Sequence, residues 1–133
     1  MDVSLNRIEP PQEEFASMYL EAFNDGPVPL QQVVFEILVD GERMAFCSVY
    51  AHSAGNLYLQ HTGYLKCAKG SKYGIYVRVL DALHNLGFPF IMGAIDSRNT
   101  IALMWALRAG FKVNGCRQAT DGTLYVEILR REQ

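Results

Sequence analysis

Three short groups of polar residues in this sequence combine side chains that can take part in chemistry. The first is the loop Lys66–Gly74, in which Gly70 lies between Lys69 and Lys72 and precedes a helical pattern. Glycine allows close approach of the backbone, and a helix N-terminus with nearby lysines attracts phosphate. The competing interpretation is a solvated surface loop in which Ser71 caps the helix.

The second group, Asp96-Ser97-Arg98-Asn99, follows an apolar run that is typical of a buried strand. Ligands of α/β sheets bind near the carboxyl ends of strands, so this segment is a candidate binding site in which Asn99 offers both a donor and an acceptor. Capping of the following helix by Ser97 or Asn99 is an open alternative.

The third group, Gln60, His61, Thr62 and Tyr64, lies on a strand-like run. An imidazole with an ordinary pKa suits His61 for the role of general base. A histidine alone on a strand can equally be structural or simply exposed. The cysteines and histidines lack metal-ligand spacing and no Ser/His/Asp or Cys/His order stands out, so neither a metal centre nor a nucleophilic Cys67 is expected.

Length and composition set the class of protein. The 133 residues, 50% hydrophobic and 20% charged, predict one folded domain spanning 1–133. The formal net charge of −2 gives no electrostatic reason to expect a nucleic-acid partner. Three separated cysteines without a CxxC pair favour reduced thiols. The N-terminus lacks a signal-peptide pattern and no apolar run is long enough for a bilayer, so we expect a cytoplasmic protein without a membrane partner.

The apolar pattern alternates between the period of strands and the period of helices. Strands are predicted at Val3–Ile8, Val33–Val39, Met44–Ala51, Leu57–Leu65, Phe88–Ile95, Val113–Arg117 and Thr123–Leu129. Helices are predicted from Pro11 to Phe23, after Gly70 through Leu86, and at Asn99–Ala109. Turn signals separate them at Asn24–Pro27, Asp40-Gly41, Ala54–Asn56 and Asp121-Gly122. The order β-α-β-β-β-α-β-α-β-β predicts an α/β fold, a mixed sheet with helices on its faces.

The C-terminal part carries a family resemblance. Asn99, Ala102 and the pair Gly110-Phe111 follow Ile95 at fixed offsets, and a strand, an Asp-Gly turn and a last strand come after them. This pattern resembles the C-terminal motif of the GNAT-type N-acetyltransferases, and the element order matches that fold over nearly the whole chain. The chain is similar to divergent members of the family, such as the acetyltransferase-like proteins of phages. The resemblance implies acetyl-CoA as cofactor, with its pantetheine arm between two splayed strands.

The family writes its pyrophosphate loop as Arg/Gln-x-x-Gly-x-Gly/Ala. By resemblance, Cys67 stands at the Arg/Gln position, Gly70 matches the first small residue, and Lys72 replaces the second. The Lys72 side chain would either form a salt bridge with a phosphate or obstruct the approach of the backbone. The resemblance implies a set of cofactor-binding residues: Leu59, Gln60, His61, Thr62, Cys67, Lys69, Gly70, Ser71, Lys72 and Asn99.

The same family usually places a tyrosine seven residues after the asparagine, and its hydroxyl protonates the departing CoA thiolate. That position holds Ala106, with Trp105 beside it, and an indole has no suitably acidic proton. Water, Tyr73 or Tyr76 would then supply the proton. Holding the amine and the thioester together still provides much of the acceleration.

Two hypotheses of different class follow. In the first, an acetyl-CoA-dependent N-acetyltransferase acts on a primary amine of a small molecule or protein, with His61 or Asp96 as base. Backbone N–H groups of Leu59–Thr62 hold the carbonyl oxygen, and Phe23–Gln32 forms the acceptor wall. In the second, the chain is a catalytically degenerate GNAT-fold protein that binds a partner protein, such as a host enzyme in the host cytoplasm if a phage encodes it. Exposed aromatic side chains would anchor that interface, and the closing hairpin offers an edge for a homodimer.

Overall fold

The computed structural model describes residues 1–24, 26–31, 33–53 and 55–133, without the side chain of Ser53. Three residues therefore lie outside it. Asp25 belongs to the predicted turn Asn24–Pro27, and Ala54 to the predicted turn Ala54–Asn56. Gln32, with Asp25, belongs to the predicted acceptor wall Phe23–Gln32.

Within the described residues, ten helices and strands form in the predicted order. The strands are β1 (Val3–Arg7), β2 (Val33–Val39), β3 (Glu42–Ser53), β4 (Asn56–Tyr64), β5 (Phe90–Asp96), β6 (Lys112–Gln118) and β7 (Leu124–Arg131). The helices are α1 (Pro11–Phe23), α2 (Lys72–Asn85) and α3 (Thr100–Arg108). The strands form one seven-stranded mixed sheet in the order β1-β2-β3-β4-β5-β7-β6, which confirms the predicted α/β class.

Two compact units make up the chain, and the first comprises Met1–Tyr50 and Leu59–Ala82. Within it, β2 pairs antiparallel with both β1 and β3. The turn between β2 and β3 has positive φ at Asp40 (51°) and Gly41 (85°), the conformation for which the Asp-Gly signal is selected. Helix α1 places Phe15 and Met18 in a core that also contains Phe46.

The second unit comprises Ala51–Tyr58 and Leu83–Gln133. Here β7 pairs antiparallel with β5 and with β6. Strand β4 pairs parallel with β5 through Asn56–Tyr58, which lie opposite the first residues of β5. Strand β4 then continues to Tyr64. All residues of β6 are exposed, as expected for the last strand of the sheet.

The prediction that a strand begins at Phe88 was wrong by two residues. The Phe88 carbonyl oxygen lies 2.8 Å from His84 Nδ1, and the Gly87 N–H donates to the His84 carbonyl, so this segment completes the end of α2. Pro89 then separates it from β5, because proline cannot donate a ladder hydrogen bond. Over the described ranges, no helix is both long and apolar enough to cross a membrane.

Candidate functional site

His61 is held on β4 by a buried neighbour on β3. Its Nδ1 lies 3.3 Å from the Oγ of Ser48, whose side chain is completely buried. The imidazole itself is half-buried, and this burial lowers the pKa of His61 below its ordinary value. His61 is therefore mainly neutral near pH 7, the state that a general base needs.

Aromatic side chains of helix α1 also contact the His61 ring. The Tyr19 ring meets it edge-on, with 5.6 Å between centroids, and the Phe15 ring lies at 6.1 Å. The Phe46 ring, two residues before Ser48 on β3, packs edge-on against Phe15 at 5.7 Å. The imidazole is thus fixed by packing as well as by its hydrogen bond.

The loop after β4 is fastened to α1 and β3. The Lys66 N–H donates to Glu21 Oε2 at 2.8 Å, and the Leu65 N–H donates to the Met44 carbonyl oxygen at 2.9 Å. The Cys67 thiol donates to the Arg43 carbonyl oxygen at 3.2 Å, so the thiol contributes to loop structure. These contacts place the start of the predicted cofactor loop in the first unit, together with His61.

The end of this loop forms the N-terminus of α2. Gly70 has a φ of 78°, which favours glycine, and a Cβ there would meet no atom within 4 Å. The Ser71 Oγ accepts the Gly74 N–H at 3.0 Å, which confirms the capping interpretation for Ser71. The exposed Lys72 begins the helix, and its Nζ lies 6.0 Å from the centroid of the Tyr64 ring on β4.

Thr62 provides a test of whether this region fits a cofactor. Among the described residues its Oγ1 is buried and has no hydrogen-bond partner. A buried hydroxyl without a partner is costly, so a ligand group that bonds to it would be favoured. Leu59 and Gln60, also predicted to bind the cofactor, are partly exposed on the same strand. Together with Gly70 and Lys72, these residues fit a phosphate-bearing cofactor with a polar arm.

Asp96 and Asn99 belong to the second unit, where both are already engaged. Both carboxylate oxygens of Asp96 accept hydrogen bonds from Arg98, the shortest of them 2.7 Å from Nη2. These side-chain and backbone bonds lower the pKa of Asp96 to about 2. Asn99 Oδ1 accepts the Ala102 N–H at 3.1 Å, which confirms that Asn99 caps α3. A strongly paired carboxylate is a weak base, so Asp96 is the weaker of the two base candidates.

Ala106, at the position where the family carries its tyrosine, is completely buried on α3. Its carbonyl oxygen accepts the Phe111 N–H at 3.0 Å. Position 106 is therefore part of the core of the second unit, and a larger side chain would have to displace its neighbours.

Ser48 is the residue that the sequence interpretation did not identify. It lies two positions after Phe46 on an alternating strand, so its side chain is on the same buried face of β3 as that ring. A hydroxyl at a core-facing position of an apolar strand was the available signal, because a buried polar group needs a partner. The identity of that partner depends on the register between β3 and β4. The sequence predicts these strands as neighbours in an antiparallel meander but does not specify which residues face each other.

The sequence matches no protein-family model and no curated protein. The structure matches several solved acetyltransferases over the whole chain. A Bacillus subtilis acetyltransferase in complex with CoA is 10% identical, with 99% of this chain and 100% of that chain covered and a TM-score of 0.72. A GNAT-family acetyltransferase from Elizabethkingia anophelis with acetyl-CoA bound is 9% identical, with 97% of each chain covered and a TM-score of 0.72. An IAA acetyltransferase from Bacillus cereus is 9% identical, with 98% and 99% covered and a TM-score of 0.70. This chain therefore has the fold of the GNAT acetyltransferases.

Proposed function

We propose that the chain is an acetyl-CoA-dependent N-acetyltransferase that acts on a primary amine. The observation that carries the proposal is the position of His61, half-buried and hydrogen-bonded on the strand that leads into the Gly70 loop. The likeness to structures that hold CoA or acetyl-CoA supports the cofactor. We also propose that the chain forms a single domain and is located in the cytoplasm.

Residues of the first unit would hold the cofactor. Gly70 and the N-terminus of α2 would receive the pyrophosphate, with Lys69 and Lys72 supplying positive charge. The Thr62 hydroxyl would bond to the polar arm. Cys67 and Ser71 would act through the loop conformation that their hydrogen bonds maintain. When bound, acetyl-CoA supplies the thioester carbonyl that the amine attacks, and the C–S bond breaks as the CoA thiolate leaves.

His61 would remove the proton that the amine loses as its nitrogen bonds to the carbonyl carbon. This role requires the tautomer in which Nδ1 carries the hydrogen and donates it to Ser48 Oγ, because Nε2 is then the nitrogen that takes the proton. Backbone N–H groups of Leu59–Thr62 would stabilise the negative charge on the carbonyl oxygen. Because Ala106 has no acidic proton, water or one of the α2 tyrosines, Tyr73 and Tyr76, would protonate the thiolate.

Calorimetric titration with acetyl-CoA tests this proposal directly. We expect a saturable heat of binding that Gly70→Trp abolishes, and release of free CoA thiol when an acceptable amine is added. If millimolar acetyl-CoA does not bind to protein that circular dichroism shows to be folded, the proposal is refuted.

Binding of a partner protein is the second candidate function, and the outer face of α3 favours it. Ile101, Met104 and Leu107 recur at helical spacing and are 66%, 64% and 50% exposed. Solvent-facing apolar stripes of this kind often mark interfaces. The test is co-purification of a partner protein with the chain. A single partner that still binds the Lys72→Glu variant but no longer binds the Met104→Asp variant would favour this function. Light scattering on the purified chain would reveal whether the partner is a second copy.

A further inference from the structure

A row of aromatic side chains runs along α1 and β3 beside His61. The row consists of Phe15, Tyr19, Phe23 and Phe46. Tyr19 and Phe23 are in contact, with 4.8 Å between ring centroids, and Phe23 meets Phe46 edge-on at 6.1 Å. Because Tyr19 also meets the His61 ring, the row is continuous with the candidate base.

The aromatic row extends from the core to the surface. Phe15 and Phe46 are completely buried, Tyr19 is partly exposed, and Phe23 is 42% exposed. The Phe46 ring also lies against the backbone of Gly63, where a Cβ would overlap it. Solvent therefore meets an apolar surface at Phe23, and that surface leads through Tyr19 to the imidazole.

Two acidic side chains of α1 near this row have partners in the structure. Glu14 Oε2 lies 2.8 Å from Arg43 Nη1, and Glu21 Oε2 accepts the Lys66 N–H at 2.8 Å. Arg43 is shared with Glu36, whose Oε1 lies 3.1 Å from its Nε. The last turn of α1, which carries Phe23, has no basic residue. Glu21 bonds to a backbone N–H and keeps its negative charge, whereas an acidic substrate would find no cation on this turn of the helix.

The chemistry of the proposed reaction fixes where the acceptor lies. A base must be within hydrogen-bonding reach of the proton it removes, so the attacking nitrogen must approach the His61 ring. Its carbon substituent then lies against Tyr19 and Phe23, the accessible members of the row. The face of the Tyr19 ring also attracts an amine that arrives as its ammonium ion.

We propose that the acceptor is a primary amine on an uncharged apolar body, of the arylalkylamine class. This inference rests on the proposed acetyl transfer, because it takes His61 as the base. The aromatic row is the surface that selects the apolar body, and the α1 turn that carries Phe23 offers no cation to an acidic one.

The test measures kcat/KM by release of CoA thiol with 2-phenylethylamine, spermidine and glutamate as acceptors. We expect 2-phenylethylamine to be preferred by at least about tenfold, the discrimination that an apolar pocket provides. Phe23→Ala should raise the KM for 2-phenylethylamine by about tenfold and leave kcat little changed. Leu20→Ala, which removes a 47% exposed side chain of the same helix outside the row, is the matched control. Spermidine or glutamate used equally well or better would overturn the inference.

A binding measurement separates this inference from the proposed function. Titration of 2-phenylethylamine without acetyl-CoA should shift the NMR signals of His61 and Tyr19, and Phe23→Ala should weaken that binding. If acetyl-CoA binds and these signals do not move, the acceptor inference fails and the acetyltransferase proposal stands. If the signals move but acetyl-CoA never binds, the acetyl transfer fails and the amine site stands only as a binding site.

Discussion

Ser48 Oγ lies 3.3 Å from His61 Nδ1, which joins a completely buried hydroxyl to a half-buried imidazole across neighbouring strands. When His61 takes up a proton, both of its ring nitrogens become donors, and Ser48 is then the acceptor for Nδ1–H. The proposed base role requires the same direction in the neutral state, with Nδ1–H donating to Ser48 Oγ and Nε2 as the basic nitrogen. Ser48 is in this respect a positioning residue for His61.

Ser48→Ala should remove this control of the tautomer. We expect the ¹⁵N shifts of His61 to move from the Nδ1–H form towards a mixture, and kcat to fall by about tenfold, as for loss of one hydrogen bond to a charged group. Ser48→Thr keeps the hydroxyl and should retain most of the tautomer preference. Unchanged ¹⁵N shifts in Ser48→Ala would show that the serine does not set the tautomer.

The pKa of His61 should be measurably below that of an unfolded histidine, because burial disfavours the imidazolium. The unfolded chain then binds this proton more tightly than the folded chain, so the contribution of His61 to stability is complete above about pH 6.5 and is lost as the pH falls. Proton NMR titration of the His61 ring signal, assigned with His61→Gln, checks the direction. A midpoint at or above the ordinary value would contradict it.

The two base candidates should differ in their effect on turnover. His61→Gln should lower kcat by about a hundredfold or more, the usual contribution of a general base. Asp96→Asn should cost only a few-fold, since its pairing with Arg98 holds the pKa of Asp96 at about 2 and makes the carboxylate a weak base. Equal losses in the two variants, measured with both proteins folded, would require a role for Asp96 that its ion pair does not suggest.

The helices and strands of this fold could be predicted from the sequence because each depends on the local pattern of apolar and turn residues. The Asp40-Gly41 signal predicted the turn between β2 and β3, where both residues have positive φ, and Ser71 and Asn99 were predicted as potential helix caps. The start of β5 was misplaced, since the hydrogen bonds between His84 and the residues that follow α2 extend the connection beyond Phe88. Local apolar runs do not report such contacts.

The candidate site was only partly readable. His61 was identified from its residue type, but its partner Ser48 depends on strand pairing, and Tyr19 reaches it from α1. Asp96 was also identified by its residue type, yet its carboxylate forms an ion pair with Arg98, two residues away. Residue types therefore indicated which groups can react, whereas the contacts made in the folded chain, some local and some tertiary, distinguish a base that is available from a carboxylate that is paired.

Gly70→Ala tests the loop backbone at a position where side-chain room is not limiting. A φ of 78° strains any residue with a Cβ, so we expect a loss of about 1–2 kcal/mol in the free energy of unfolding and weaker binding of acetyl-CoA. Gly122→Ala is the matched control, because Gly122 has a φ of 88° and equally open space in the second unit. It should lose similar stability and keep the acetyl-CoA affinity. Weaker cofactor binding in both variants would point to global destabilisation instead of the loop.

Lys72 allows the two interpretations of its side chain, phosphate partner or obstruction, to be separated by a pair of substitutions. Its side chain is exposed with Nζ 6.0 Å from the Tyr64 ring centroid, and the space beside Gly70 is open, so we expect attraction to a phosphate to dominate. Lys72→Gly and Lys72→Met should then both raise the Kd for acetyl-CoA by about tenfold, and both should reduce its dependence on salt. If the Lys72 side chain instead obstructs the cofactor, Lys72→Gly should bind acetyl-CoA more tightly than the parent protein does. Lys72→Met, which keeps the length of the side chain without its charge, should not. Calorimetric titration at two salt concentrations distinguishes these results, because only a lost charge changes both the affinity and its salt dependence.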